Sequence, residues 1–288
     1  MPVLQTLTIA GLWACKLTLK GQKRLLMINE ILSAWQYLEV YIIAIIVALL
    51  QMKTLTVNGE RHLMSCPITQ HCTKEFKEAN EKADAIALTW NDKVVAIING
   101  PQFFDNRHEE ICTRTFGCFE KSHPMAENIV NQGPFLVSGE SMDFVAHIQW
   151  NDGLDSYRMN PKQINDIMVE RNADAVFAFQ VRNPLHNGHC LLLKDTREQL
   201  LKKGYKNPVL LLHPLGGWCK DDDVPLAPRM EQHQALIDDG TIDKNHIILA
   251  VWPSPMFYGG PTEVLWHASS RVGCGITHFI PGRDPAGV

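Results

Sequence analysis

The residues best equipped for chemistry stand together at positions 180–189, QVRNPLHNGH. His186 and His189 are three apart, a spacing that puts both side chains on one face of a helix starting there. Between them Gly188 has no Cβ, so a ligand can come close to the backbone. The first turn of a helix offers N–H groups without intrahelical partners and the positive end of the helix dipole, which together favour an anion. Imidazoles can hydrogen-bond phosphate oxygens and carry charge where the site stabilises it. Arg182 adds a planar fork able to grip two oxygens of a phosphate or sulfate, which lysine cannot copy. Asn183 supplies an amide donor. Two histidines can also do no more than cap a helix; the place of the strip, between a buried strand and a helix, favours the anion-binding reading.

The elements that must position this strip follow from the pattern after residue 151. Residues 173–179 (ADAVFAF) read as a buried strand. Residues 189–203 read as a helix with Leu193, Leu200 and Leu201 on one face and Gly204 at its end. A second strand is expected at 208–213, a helix at 229–239 stopped by Gly240, a third strand at 246–252, a helix at 262–271 and a fourth strand at 277–280. Strands alternating with helices imply right-handed crossovers and a parallel sheet covered on both faces. Ligands of such sheets sit beyond the carboxyl ends of the strands, so the residues after Phe179, His213, Trp252 and Ile280 should converge. Lys220, Asp221, Asp222 and Asp223 follow the second strand and could border the site, although a charged surface turn is the simpler reading.

Residues 54–150 have a different style. Short apolar runs at 84–90, 93–98 and 135–137 lie between turn residues and suggest a mainly β module. The charged stretch 105–114 is read as the solvated face of a helix. Residues 1–53 are set apart: no acidic residue precedes Glu30, while Lys16, Lys20, Lys23 and Arg24 do, and 40–50 is an unbroken apolar run. Its length falls short of the roughly 18 residues a membrane span needs, so a buried element or a segment foreign to the rest is expected rather than an anchor.

The chain of 288 residues has a net charge of −4 and 20% charged residues, so no bulk field attracts nucleic acid. Anion binding must come from local groups. The eight cysteines include no Cys-x-x-Cys pair and no zinc spacing with histidine; free thiols in a reducing compartment and no structural metal are expected.

The stretch 173–189 closely resembles the motif of the ATP sulfurylases, within the wider nucleotidyltransferases that share His-x-Gly-His. Segments 151–158 (NDGLDSYR), 205–225 (YKNPVLLLHPLGGWCKDDDVP), 253–267 (PSPMFYGGPTEVLWH) and 282–287 (GRDPAG) extend the likeness in order, the middle two resembling the animal form fused to an adenylyl-sulfate kinase. The resemblance implies a Rossmann-like (HUP-type) α/β nucleotidyltransferase domain with a parallel sheet over 151–288, preceded by a mainly β, PUA-like domain over 54–150. It implies sulfate adenylyltransferase activity, with ATP and sulfate giving adenylyl sulfate (APS) and pyrophosphate. Magnesium would accompany ATP, held mainly by phosphates and water. A homodimer, in the cytoplasm or also the nucleus, would be expected.

By the same resemblance, Gln180, Val181, Arg182, Asn183, His186 and His189, together with Gly282, Arg283, Asp284 and Pro285, contact ATP. Gln180, Arg182 and Ala286 contact sulfate, Ala286 through its backbone. Val181, Arg182, Asn183, His186 and His189 form the catalytic strip, Val181 through its backbone. Met256 packs on the adenine or fills the core. Arg229 and His233 match the family and are read as structural. No Gly-x4-Gly-Lys-Ser/Thr sequence occurs, so no 3′-phosphorylation of the product is expected from these residues. The resemblance further implies that family chains continue beyond the second loop. The alternative reading is therefore an inactive fragment that binds nucleotide or pairs with a full-length enzyme.

Overall fold

In a computed structural model, the structure describes residues 65, 66 and 68–281. The apolar run at 40–50, the whole segment 1–53 and the loop of Gly282, Arg283, Asp284, Pro285 and Ala286 lie outside the described residues. Those described fall within one compact unit, Met64–Val288.

The first part of this unit carries six strands. β1 (Gln70–Cys72), β5 (Phe135–Ser138) and β4 (Gln102–Asp105) form one antiparallel sheet. β2 (Ala85–Trp90), β3 (Lys93–Asn99) and β6 (Ser141–Phe144) form another. Three helices accompany them: α1 (Lys74–Asn80), α2 (His108–Phe116) and α3 (Pro124–Val130). The charged stretch at 105–114 is mostly α2. Glu110 takes Arg107 at 2.6 Å and Arg114 at 2.7 Å on the wet side. The opposite side is buried, with Cys112 packed on Ala126 and Ile129. The helix is thus amphipathic, the charged residues forming its solvated face.

The second part alternates strand and helix: α4 (Pro161–Glu170), β7 (Ala175–Val181), α5 (Asn187–Lys202), β8 (Pro208–Pro214), α6 (Leu226–Asp238), β9 (Ile247–Leu249), α7 (Gly260–Val272) and β10 (His278–Ile280). Its sheet has the order β10-β7-β8-β9, every pair parallel. All seven residues of β7, and all seven of β8, are buried. Side chains alternate across a strand, and both faces here meet helices. Phe177, Phe179 and Val181 pack with Leu193, Leu200 and Met230 on one side. Val176 and Ala178 pack with Ile164, Met168 and Ile276 on the other. β7 and β8 must therefore be continuously apolar, which is why they were legible as strands.

The register fixes where the strands stop together. Phe179 stands beside Leu212 and Ile280, Val181 beside Pro214, and Leu215 bridges to Trp252. The four carboxyl ends thus form one edge. β9 is shorter than the expected 246–252 because the ladder becomes irregular there. The N–H of Val251 leaves the sheet for the Tyr157 carbonyl at 2.7 Å, while that of Trp252 reaches Pro214 at 2.8 Å.

Leu201 does not share the buried face of α5. Leu193 and Leu200 are 4% and 3% exposed, whereas Leu201 is 38% exposed. One residue is about 100° of rotation on a helix, enough to turn Leu201 outward. Leu200→Ala is therefore expected to lower unfolding free energy by about 2–5 kcal/mol and Leu201→Ala by less than about 1 kcal/mol. Urea denaturation measures both; equal losses would contradict this packing.

Candidate anion site at the strand ends

The strip 180–189 runs off the end of β7 into α5. Gln180 and Val181 finish the strand and are buried at 7% and 6% exposure. The Val181 carbonyl accepts from the Leu215 N–H at 2.9 Å. Asn183 and His186 are exposed, and Arg182 and His189 are half-buried.

His186 is the N-cap of α5. Its Nδ1 accepts from the N–H groups of Gly188 at 3.1 Å and His189 at 3.3 Å. His189 Nδ1 reaches back to the His186 N–H at 3.5 Å, closing a capping box made of two imidazoles. The rings stack with centroids 3.8 Å apart. This corrects one expectation. Those two N–H groups are not open to a ligand, because the His186 ring holds them. The same bonds assign each ring its tautomer: with Nδ1 accepting, the proton sits on Nε2, and that N–H remains a donor. Capping and anion binding are therefore compatible roles for one side chain. Gly188 also gains a second reason for having no side chain, since a Cβ there would meet His186 Cε1 at 2.9 Å.

Burial, and then the neighbouring His186, push the His189 pKa down, keeping its ring neutral. Behind it His233 is fully buried, and neither of its ring nitrogens finds a hydrogen-bond partner among the described residues. Desolvation first, and then the nearby Arg229 guanidinium and His189 ring, push the His233 pKa down to about 4.

Arg182 leaves the strip toward the loop after β8. Its Nη1 stands 3.6 Å from Asp223 Oδ2 in an ion pair slightly longer than a hydrogen bond. The guanidinium carbon lies 5.3 Å from the centre of the Tyr258 ring, a cation–π distance. Tyr258 donates its hydroxyl to Asp223 Oδ2 at 3.0 Å and accepts the Lys220 N–H at 2.7 Å. The acidic run after the second strand is thus more than a surface turn: Asp223, with a side chain only 10% exposed, belongs to the Arg182 surroundings. Sequence reasoning missed Tyr258 and gave Asp223 too little weight. Their place just after two strand ends was the available signal.

Met256 is fully buried with Leu215 and Tyr258 and here fills the core, presenting no surface to a base. Arg229 and His233 are structural as read; Arg229 donates to the carbonyls of Val224 and Leu215, both at 2.9 Å. A buried polar layer supports the strand ends. Arg271 Nε is 3.2 Å from Nδ1 of His213, the neighbour of Gln180 in register. Desolvation lowers the Arg271 pKa to about 9, so the group stays a cation at neutral pH. A separate apolar cleft, lined by Phe116, Met125, Ile129, Trp252, Pro255 and Trp266, includes no residue of the strip and suits no polyanion.

Three family models match the chain. Residues 155–288 match ATP-sulfurylase, residues 47–144 the PUA-like domain, and residues 1–58 Paraquat-inducible protein A. Among curated relatives, ATP sulfurylase 2 of Arabidopsis thaliana is 45% identical over 80% of this chain and 49% of its own length. ATP sulfurylase 4, chloroplastic, from the same organism is 48% identical over 71% of this chain and 44% of its own. The sulfate adenylyltransferase of Symbiobacterium thermophilum is 33% identical over 78% of this chain and 55% of its own. The chain spans about half the length of these relatives. A solved structure, the hexameric APS kinase from Thiobacillus denitrificans, shares the fold with a TM-score of 0.54 at 16% identity, over 81% of this chain and 40% of that one.

The buried His233 generates a pH prediction. Its folded pKa of about 4 lies below the ordinary 6.5, so the unfolded chain takes up a proton the fold refuses. The stability this group permits is complete above pH 6.5 and is lost as pH falls from there toward 4. Replacing it, as in His233→Met, is expected to reduce the drop in unfolding free energy between pH 7 and 4.5 by about 2–3 kcal/mol. Urea titrations at the two pH values decide; an unaltered drop would mean the ring is protonated in the folded chain.

Proposed function

From an ATP-sulfurylase domain over residues 155–288 and a PUA-like domain over residues 47–144, we propose that the chain is a sulfate adenylyltransferase. It would join sulfate to the α-phosphate of ATP, giving adenylyl sulfate and pyrophosphate, the first step of sulfate activation. The observation that carries this reading is the edge where the strands end. There Arg182 stands beside a helix start capped by two imidazoles, each with an Nε2–H left to donate. The same reading divides the chain at 54–150 and 151–288, with 1–53 apart, and the family matches at 47–144 and 155–288 support a break near residue 150.

The chemistry needs such a place. Sulfate is already an anion, so no general base has to create the nucleophile. The obstacle is charge: a dianion approaches a polyanion, and more negative charge gathers on the departing pyrophosphate. Positioning and electrostatic stabilisation supply the catalysis, and no covalent intermediate is called for. Arg182 would grip sulfate with its fork, and Gln180 and the backbone of Ala286 would line the same pocket. Asn183 would donate to a phosphate oxygen. The Nε2–H groups of His186 and His189 would hold the α- and β-phosphates as pyrophosphate leaves. Val181 would keep the strip in place through its backbone. Gly282, Arg283, Asp284 and Pro285 would close on ATP from the end of β10, which pairs with β7. The adenine contact for Met256 is not retained in this scheme, given its burial.

Magnesium would enter with ATP and offset phosphate charge. Phosphate and water oxygens would be its main ligands. Among the described residues no helix is long and apolar enough to cross a membrane. A homodimer in the cytoplasm remains part of the proposal.

The test is exchange of labelled pyrophosphate into ATP by the purified chain. Exchange that depends on sulfate is expected, and nucleotide binding without exchange would overturn the assignment. Arg182→Ala is expected to cut sulfate-dependent exchange by about a hundredfold or more with the unfolding midpoint kept. Near-normal exchange would remove Arg182 from its role. Arg283→Ala is expected to weaken ATP about tenfold or more, the scale of one charge-assisted contact; an unchanged ATP affinity would count against a pocket built from both loops.

A further inference from the structure

We infer that Asp223 and Tyr258 are positioning residues that orient the Arg182 guanidinium for the incoming sulfate; this rests on the reading of the site given above. Asp223 Oδ2 is the shared node. It lies 3.6 Å from Arg182 Nη1 and accepts the Tyr258 hydroxyl at 3.0 Å. That hydroxyl is itself fixed, because it also accepts the Lys220 N–H at 2.7 Å. The Tyr258 ring meets the Arg182 guanidinium at 5.3 Å and the Lys220 ammonium at 5.6 Å. The guanidinium therefore has a carboxylate on one side and an aromatic face on another. Two such directions define a plane, which a lone ion pair does not.

Tyr258 is held unusually firmly for this task. Its φ is 55°, a left-handed conformation that a bulky residue rarely adopts. Such strain persists only where the surroundings over-determine it, and it gathers at functional sites. Here the surroundings do so. The fully buried Glu263 takes the N–H groups on either side of the tyrosine, Phe257 to Oε1 and Gly259 to Oε2, both at 3.0 Å. The Tyr258 carbonyl meets His123 Nε2 at 3.0 Å, a contact from the first part of the unit. His123 is pinned in turn as the N-cap of α3 and by stacking on Phe116. The loop after β8 and the loop after β9 are thus tied together at the point where Arg182 leaves β7.

The benefit lies in entropy. A free arginine must give up rotamer freedom when it binds an anion. One already set in the plane of its fork gives up less, and its two N–H groups meet two oxygens of a tetrahedral anion together.

The experiment titrates radiolabelled sulfate by equilibrium dialysis onto the full chain, saturated with an ATP analogue whose α,β-bridging oxygen is a methylene. Tyr258→Phe and Asp223→Asn are each expected to weaken sulfate about tenfold, equivalent to about 1.4 kcal/mol. The analogue's own Kd should change clearly less than that of sulfate, since Arg182 is only one of its several assigned contacts and neither varied residue is one. Asp223→Asn gives the more telling sign. Removing a negative charge beside a guanidinium would by Coulomb attraction alone tighten anion binding, so weakening reports lost orientation. Unchanged or tighter sulfate binding by both variants overturns the inference. Equal loss of sulfate and analogue binding, with a lowered unfolding midpoint, marks a structural role and overturns it too. An unaltered chain that binds sulfate but shows no exchange would sink the functional reading while the comparison of variants still decides the positioning. An unaltered chain that binds no sulfate sinks both.

Discussion

Everything at the candidate site depends on the in-register parallel pairing of β7 with β8. Their seven paired positions carry no exposed residue, so a slip of one would turn the Phe177 and Phe179 side chains onto the wrong face and cannot be tolerated. Once the register is set, Val181 and Pro214 must end side by side. The chain leaving one strand then meets the chain leaving the next. Arg182 and Asp223 are neighbours for that reason, though nothing local in either segment demands it.

Charge is the second constraint. The acidic chain has no general attraction for anions, so the proposed site would depend on fixed local groups at the strand ends. Arg271 lies fully buried beneath them, with its charge retained at neutral pH, and stacks on Trp252 with 4.5 Å between guanidinium carbon and ring centre. Arg182 sits nearer the surface, balanced by Asp223. The His189 imidazole stays a neutral donor, its pKa lowered by burial and then by His186, while the His186 ring accepts two helix N–H groups at Nδ1. The layer from Arg271 outward would thus offer the proposed anion charged and neutral donors without placing several bare cations in one cavity, where they would repel each other.

Much of this was legible in the sequence because it is local. Unbroken apolar runs flanked by Asn, Gly and Pro mark buried strands, and β7 and β8 were visible to within two residues. The helix after His-x-Gly-His was visible too, expected from 189 and beginning at Asn187 with His186 as its cap. What escaped has long-range causes. The Asp223–Tyr258 hydrogen bond joins the loops after β8 and β9, and no periodicity encodes it. Neither could a spacing rule reveal that Gly188 accommodates the His186 ring. Leu201 was misplaced for a simpler reason: it lies about 100° round the helix from Leu200, beyond the edge of the stripe that α5 buries. The roles of Gly282, Arg283, Asp284, Pro285 and Ala286 rest on resemblance alone, as those residues lie outside the described structure.

The imidazole cap of α5 has a further consequence for timing. Because His186 Nδ1 satisfies the amides of Gly188 and His189, the helix end is stable while empty. An oxyanion wanting those same amides would have to evict the ring, at a cost of about 1 kcal/mol for a lost cap. An anion that accepts from the outward Nε2–H evicts nothing. For the ligand proposed here the stopper would therefore select among poses: a phosphate would dock on the imidazole edge, and one that would sink into the helix axis would be turned away. Under the proposed reaction, release of a product held this way would leave behind a finished helix end, with no refolding of the first turn needed before the next substrate.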